Sequence, residues 1–246
     1  MTRYSKFLAC AGIVALALAA CQKGEKDERP VLVVSIEPQR QMLEQLAGDD
    51  YRIVTLMPNG ENPETFEPSP ARRIDVENAQ AYFTTGNLLF ENNLEMTARD
   101  KSIFHDMSQG IAPIYGTHTH FHGHSEFLPD DDAHVRGVDP HVWVSVKNAR
   151  VMAKNMTRVL SEIDKDNAAA YQARLATYDA HLDSLDQAFA ARLDSLPNTS
   201  FLVWHPSMSY FARDYGLNQI VVGSETKESS VNDLRNVIKA AKNDSV

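Results

Sequence analysis

Four histidines fall within seven residues, His118, His120, His122 and His124. They lead through an acidic cluster, Asp130, Asp131 and Asp132, into Asp139-Pro140-His141-Val142-Trp143. Neutral imidazole is the commonest side-chain ligand for zinc and its neighbours in the transition series. A His-rich tract running into one histidine in a defined setting therefore points to a protein that handles such a metal. Two further candidates stand beside strand-like runs. Glu64 lies in Glu61-Asn62-Pro63-Glu64-Thr65-Phe66-Glu67-Pro68, and His205 directly follows Phe201-Leu202-Val203-Trp204. Thiolates contribute nothing here. The chain has two cysteines, Cys10 inside an N-terminal apolar run and Cys21 at its end. The folded part must bind metal with nitrogen and oxygen, and no disulfide staples it.

The N-terminus sets the compartment. Arg3 and Lys6 precede an apolar run from Phe7 to Ala20, shorter than the roughly 20 residues of a spanning helix. Residues 1–20 read as a secretory signal peptide. Leu18-Ala19-Ala20-Cys21 resembles the lipobox of bacterial lipoproteins, which implies cleavage before Cys21 and lipidation of its thiol. The charged residues up to Arg29 have no apolar surface to bury, so 21–29 reads as a lipidated tether, and the globular part begins near Pro30. The expected address is the bacterial cell envelope, facing the periplasm or the cell surface. A net charge of −9 argues against nucleic acid and against broad attraction to anionic lipid.

The elements that must position these ligands follow from periodicity. Val31–Ile36 is an unbroken apolar, β-branched run, the pattern of a buried parallel strand. A helix over Gln39–Leu46, a strand over Tyr51–Leu56, a helix opened by Ser69-Pro70 and a strand over Ala81–Thr85 follow. Strand, helix, strand, helix, strand predicts a parallel α/β sheet whose ligands bind beyond the strands' carboxyl ends. Asn148–Ile163 reads as helical. Asp166 to about Leu193 is a second, longer helix, with Tyr171, Leu175, Tyr178, Leu182, Leu185 and Phe189 as one stripe. Its length suits a spine between two lobes. A second α/β unit follows: a strand over Phe201–Trp204, a helix over Ser207–Tyr215 stopped at Gly216, a strand over Gln219–Val222 and a helix over Val231–Ala241. The chain ends before that lobe is complete, so the fold is expected to continue.

With these blocks in place, Gly60–Pro70 (GENPETFEPSP), Val138–Ala149 (VDPHVWVSVKNA) and Val203–Leu217 (VWHPSMSYFARDYGL) resemble the solute-binding proteins of zinc and manganese ABC importers, the ZnuA-like or cluster 9 family. The resemblance runs from Val31 to the end. It implies an α/β fold of two parallel-sheet lobes joined by a rigid helical spine, with the metal held between them. The domains would be an N-terminal lobe over 30–165 with a His-rich loop at 116–136, a spine helix over 166–195 and a partial C-terminal lobe over 196–246. Position by position, it implies His141 and His205 as metal ligands. At the first ligand position the family usually carries histidine, and Glu64 stands there in this chain. A Glu/His/His set is harder than three histidines, which relaxes the preference from zinc toward manganese or iron. The His-rich loop, which accompanies zinc specificity in the family, pulls the other way. An acidic fourth position would lie beyond Val246.

The function implied is extracytoplasmic zinc binding and delivery to an ABC permease, by a monomer held to the membrane through Cys21. Each residue also has a plainer reading. Glu64 suits a solvated loop carboxylate, His141 a core or capping histidine, and His118–His124 a polar insertion rather than an accessory metal-catching loop. Asp139 reads as orienting the loop or a ligand, Trp143 as packing, and His105 and His181 as surface residues. Two other functions fit parts of the pattern. Two histidines and a carboxylate with open positions also make a metalloenzyme site, although no general base is placed as in His-Glu-x-x-His enzymes. Surface adhesion is a possible second role. Because histidine ligands must be neutral, metal affinity is expected to fall below about pH 6.

Overall fold

Val31–Val34 (β1) carries side chains that are buried on both faces from Leu32 onward, so it must sit inside a sheet with cover on either side. In the computed structural model it does. The description covers residues 27–115 and 137–223, together with 235, 237–239 and 241–242. The segment 1–26 with Cys21, the loop 116–136 with His118, His120, His122 and His124, and most of 224–246 lie outside the described residues. Among the described residues no helix is long and apolar enough to cross a membrane.

The elements run Glu37–Ala47 (α1), Arg52–Thr55 (β2), Pro70–Glu77 (α2), Ala81–Thr84 (β3), Leu89–Thr97 (α3) and Phe104–Asp106 (β4). Then come Val146–Ile163 (α4), Ala168–Asp194 (α5), Ser200–Val203 (β5), Ser209–Tyr215 (α6) and Asn218–Val221 (β6). The first four strands form one parallel sheet in the order β2-β1-β3-β4, and β5 and β6 pair in parallel in a second sheet. Alternation along β1 and β3 divides the core. Leu32, Val34, Ala81 and Phe83 face α1, α4 and α5, packing with Leu43, Leu46, Met152, Met156 and Leu160. Val33 and Tyr82 face the opposite layer, with Val76 from α2 and Phe90 and Leu94 from α3.

The helix boundaries have local causes. Ser69 caps α2, accepting from the Arg72 N–H, and Pro70 follows in the first turn, where a missing N–H costs nothing. Helix α1 stops where Gly48 turns to a φ of 71°, a value L side chains avoid. There the Arg174 guanidinium reaches over and donates to the Ala47 carbonyl at 3.0 Å.

The long helix does span both units, and its apolar stripe is buried unevenly along its length. Tyr171 and Leu182 are buried, Leu175, Tyr178 and Phe189 are partly buried, and Leu185 is 37% exposed. The stripe fails at Leu185 because α5 changes partners along its length. Its first half lies against α1 and α4. Its last turns meet α6 through Phe189, whose ring stands 5.5 Å from Phe211 and 5.9 Å from Tyr215. Polar contacts fill in between. Arg150 of α4 grips Asp179 through two nitrogens, at 2.7 and 2.9 Å, and Asp183 through a third, at 2.6 Å.

Two elements went unread in the sequence, α3 and β4. Helix α3 turns Glu91 inward, where an apolar residue would have kept the helical pattern. Its carboxylate is 2% exposed and accepts from the Thr85 N–H at 2.6 Å, the Gly86 N–H at 3.0 Å, the Leu88 N–H at 3.3 Å and the Thr85 hydroxyl at 3.0 Å. The Ser35 hydroxyl also donates to it, which leaves Ser35 as acceptor from the Tyr82 hydroxyl at 2.8 Å. Burial pushes the Glu91 carboxyl up, and these donors pull it only part of the way back. The group knots together the carboxyl ends of β1 and β3. Glu91→Ala strands several buried donors at roughly 1–3 kcal/mol each, so it should cost about 3–5 kcal/mol in urea unfolding. A loss under about 1 kcal/mol would show that the knot contributes little.

Candidate metal centre

The three residues singled out from the sequence come together. Glu64, His141 and His205 each present one donor atom, and these atoms lie within 4.8 Å of one another. The His141 and His205 Nε2 atoms are 3.2 Å apart, and His205 Nε2 is 3.4 Å from Glu64 Oε1. Donors about 2.0–2.1 Å from a tetrahedral zinc ion stand about 3.3 Å apart. Both measured edges are of that size.

Each ligand is set by its own turn. The Glu64 loop follows β2. The Asn62 side chain accepts from the Glu64 N–H at 2.8 Å, and the Asn62 carbonyl accepts from the Phe66 N–H at 3.0 Å, curling the segment back on itself. Phe66 then plants the loop edge-on against Phe90 of α3, ring centroids 5.1 Å apart. His205 follows β5, two residues past the last paired position, where its carbonyl accepts from the Ser207 N–H at 2.7 Å. Both positions lie beyond the carboxyl ends of parallel strands, where α/β folds leave room for ligands.

His141 is the most enclosed of the three, 3% exposed. It ends the loop and starts a short 3-10 turn, Val142–Val144. Its Nδ1 sits 2.8 Å from Asp139 Oδ1, which also accepts from the His141 backbone N–H at 2.9 Å. Burial pushes the Asp139 carboxyl up, but these bonds outweigh it and hold the group below the usual carboxylate range. An ionised carboxylate only accepts, so the Nδ1 proton points at Asp139 and Nε2 is left with its lone pair toward the centre. Trp143 closes the other side, its ring 5.2 Å from the imidazole.

The loop holding His141 is joined to the second unit by contacts that residue types and spacing did not announce. Ser145 caps α4 by accepting from the Asn148 N–H at 3.1 Å, while its hydroxyl donates to Asp214 of α6. Asn148 donates to the Val142 carbonyl at 3.0 Å and accepts from Arg213 at 3.2 Å. Tyr210 donates to the Asp139 carbonyl at 2.9 Å. In sequence these are an ordinary cap, a helix asparagine and a core aromatic. His181 is exposed on α5, as expected. His105, expected at the surface, is half-buried on β4 beside Phe83, because β4 pairs with β3 and faces the helical layer.

A family model described as the periplasmic zinc-uptake complex component A, ZnuA, matches residues 32–246. A putative metal-binding protein of Treponema pallidum is 25% identical over 268 aligned residues, covering 100% of this chain and 80% of that protein. The zinc-binding protein AdcA of Streptococcus pyogenes is 28% identical over 208 residues, covering 78% of this chain and 39% of AdcA. The chain thus spans about two fifths of the AdcA length. The crystal structure of ZnuA superposes with a TM-score of 0.74 at 32% identity, covering 89% of this chain and 80% of that one. With nearly the whole folded region matched, the chain belongs to the ZnuA family of periplasmic zinc-uptake components.

Proposed function

We propose that this protein captures zinc outside the cytoplasm and hands it to the permease of an ABC importer, with Glu64, His141 and His205 as its ligands. The observation that carries the reading is the convergence of those three donors, from three separate loops, at edges of 3.2 and 3.4 Å. Family membership and the zinc named in the AdcA relatives support it. The chemistry is capture rather than catalysis. Two neutral imidazoles and one carboxylate offset one of the two charges of a divalent cation. They leave a coordination position for water or for a further acidic residue. Manganese or iron is the alternative cargo, favoured by the hard carboxylate oxygen of Glu64, whereas paired imidazoles and a tetrahedral spacing favour zinc.

The remaining parts of the chain suit the same role. Lipidation at Cys21 would hold a monomer at the membrane beside its permease, with 21–29 as tether. His118, His120, His122 and His124 would raise the local metal concentration without forming the tight site.

His141→Ala should weaken zinc binding about 100-fold or more in a chelator competition, beyond the 10–100-fold cost of losing an outer-shell partner, while unfolding stays cooperative with a midpoint lowered by the loss of the buried partner of Asp139. Native affinity in that variant would remove His141 from the ligand set. Glu64→His replaces a hard oxygen with imidazole, so the ratio of zinc to manganese affinity should rise about 10-fold. An unchanged ratio would mean that the Glu64 carboxylate is not on the metal.

A further inference from the structure

His141 and His205 are 64 residues apart in the chain, and a tetrahedral ion tolerates little error in their separation. Asp139 fixes the rotation of the His141 ring from within its own loop. It does not fix where that loop sits relative to His205, which belongs to the second unit. A contact from the second unit must do so.

Tyr210 is the contact that reaches the backbone of Asp139 itself. It lies in the first turn of α6, five residues after His205, and is fully buried. Its hydroxyl donates to the Asp139 carbonyl at 2.9 Å and accepts from the Ile114 N–H at 3.3 Å. Ile114 in turn accepts at its carbonyl from the Asp139 N–H at 2.8 Å, and the next pair outward, Tyr115 and Val138, forms an antiparallel bridge. The hydroxyl therefore sits between the two stems that flank residues 116–136 and ties both to the helix that follows His205. Arg213, one turn on, lies over the Tyr210 ring at 5.0 Å and donates to the Ala112 carbonyl at 2.9 Å, holding the same seam from outside.

We propose that Tyr210 is a positioning residue for the metal centre, its hydroxyl setting the distance between His141 and His205 by pinning the Asp139 backbone to α6. The proposal rests on the metal-binding reading above. Without the hydroxyl, the Asp139 carbonyl loses this tie to α6, and the His141 loop can drift from His205 while both rings stay intact. The seam joins the stems flanking residues 116–136 to α6 directly, beside the Ser145–Asp214 and Asn148–Arg213 bonds, so a displacement of α6 is carried to the His141 segment.

The test is Tyr210→Phe, which keeps the ring and its packing, in the full mature chain. Tyr215→Phe is the matched control. It removes a hydroxyl from the same helix, one that donates to Asp186 of α5 at 2.7 Å, away from Asp139. Zinc affinity by chelator competition should fall about 10-fold or more in Tyr210→Phe, the size expected when an outer-shell partner is lost, and stay native in Tyr215→Phe. In metal-free protein, nitrogen-15 spectra should show one His141 tautomer, protonated at Nδ1, in the native chain and in Tyr215→Phe. Tyr210→Phe should keep that tautomer, which Asp139 holds from within the loop, but with a broadened His141 signal as the loop drifts. Combining Tyr210→Phe with Asp139→Asn should cost less than the product of the two single losses, because both act on one loop. Native affinity in Tyr210→Phe, alongside lost affinity in His141→Ala, overturns the positioning role and leaves the metal reading standing. Equal losses in Tyr210→Phe and Tyr215→Phe would also overturn it, since general docking of α6 would then account for both. Native affinity in His141→Ala would instead defeat the metal reading itself.

Discussion

Two imidazole nitrogens and a carboxylate oxygen set edge to edge suit a cation, and the hydrogen bond between His141 and Asp139 orients the most buried of them. With the Nδ1 proton held by Asp139, Nε2 presents a lone pair, and the His205 ring meets it at 3.2 Å. In the metal-free protein that lone pair accepts from His205 or waits for an ion. Reversing the tautomer would turn a ligand into a donor. The buried carboxylate is therefore as much part of the centre as the three atoms that face it.

The fold serves this arrangement by keeping its parts rigid and its loops short. Sheet β2-β1-β3-β4, covered on both faces, gives the Glu64 loop a fixed origin, and Phe66 on Phe90 gives it a fixed landing. The same α3 helix is anchored by Glu91 at the carboxyl ends of β1 and β3, so a carboxylate in the core and a carboxylate at the centre are linked through adjacent residues. On the other side, α5 carries α4 through Arg150 and meets α6 through Phe189. His205 is thus referenced to the first sheet through packed helices as well as through Tyr210.

Much of this was legible before any coordinates. Unbroken apolar runs named the buried strands, Ser69-Pro70 named a helix start, and Glu64 and His205 past strand ends, with His141 in its own motif, are the three residues whose donor atoms converge. What escaped did so for physical reasons. Helix α3 buries a charged residue where the pattern demands an apolar one, and β4 is a three-residue edge strand with a histidine and an aspartate in it. The stripe on α5 looked uniform because periodicity reports which face is apolar, and it cannot report that the partner changes midway and leaves Leu185 exposed. Tyr210 and Ser145 escaped because a long-range hydrogen bond has no local spacing. A tyrosine in a helix reads as core whether or not its hydroxyl crosses a seam.

The central claim is that one metal ion sits among two imidazoles and one carboxylate. X-ray absorption at the zinc edge, on mature protein loaded with a single equivalent, counts those groups directly. The account predicts nitrogen and oxygen neighbours at about 2.0–2.1 Å with the outer-shell scattering of two imidazoles, and the loss of one imidazole in His205→Ala. Three or four imidazoles at one equivalent, unaltered by His205→Ala, would place the tight site in the histidine tract and contradict the account.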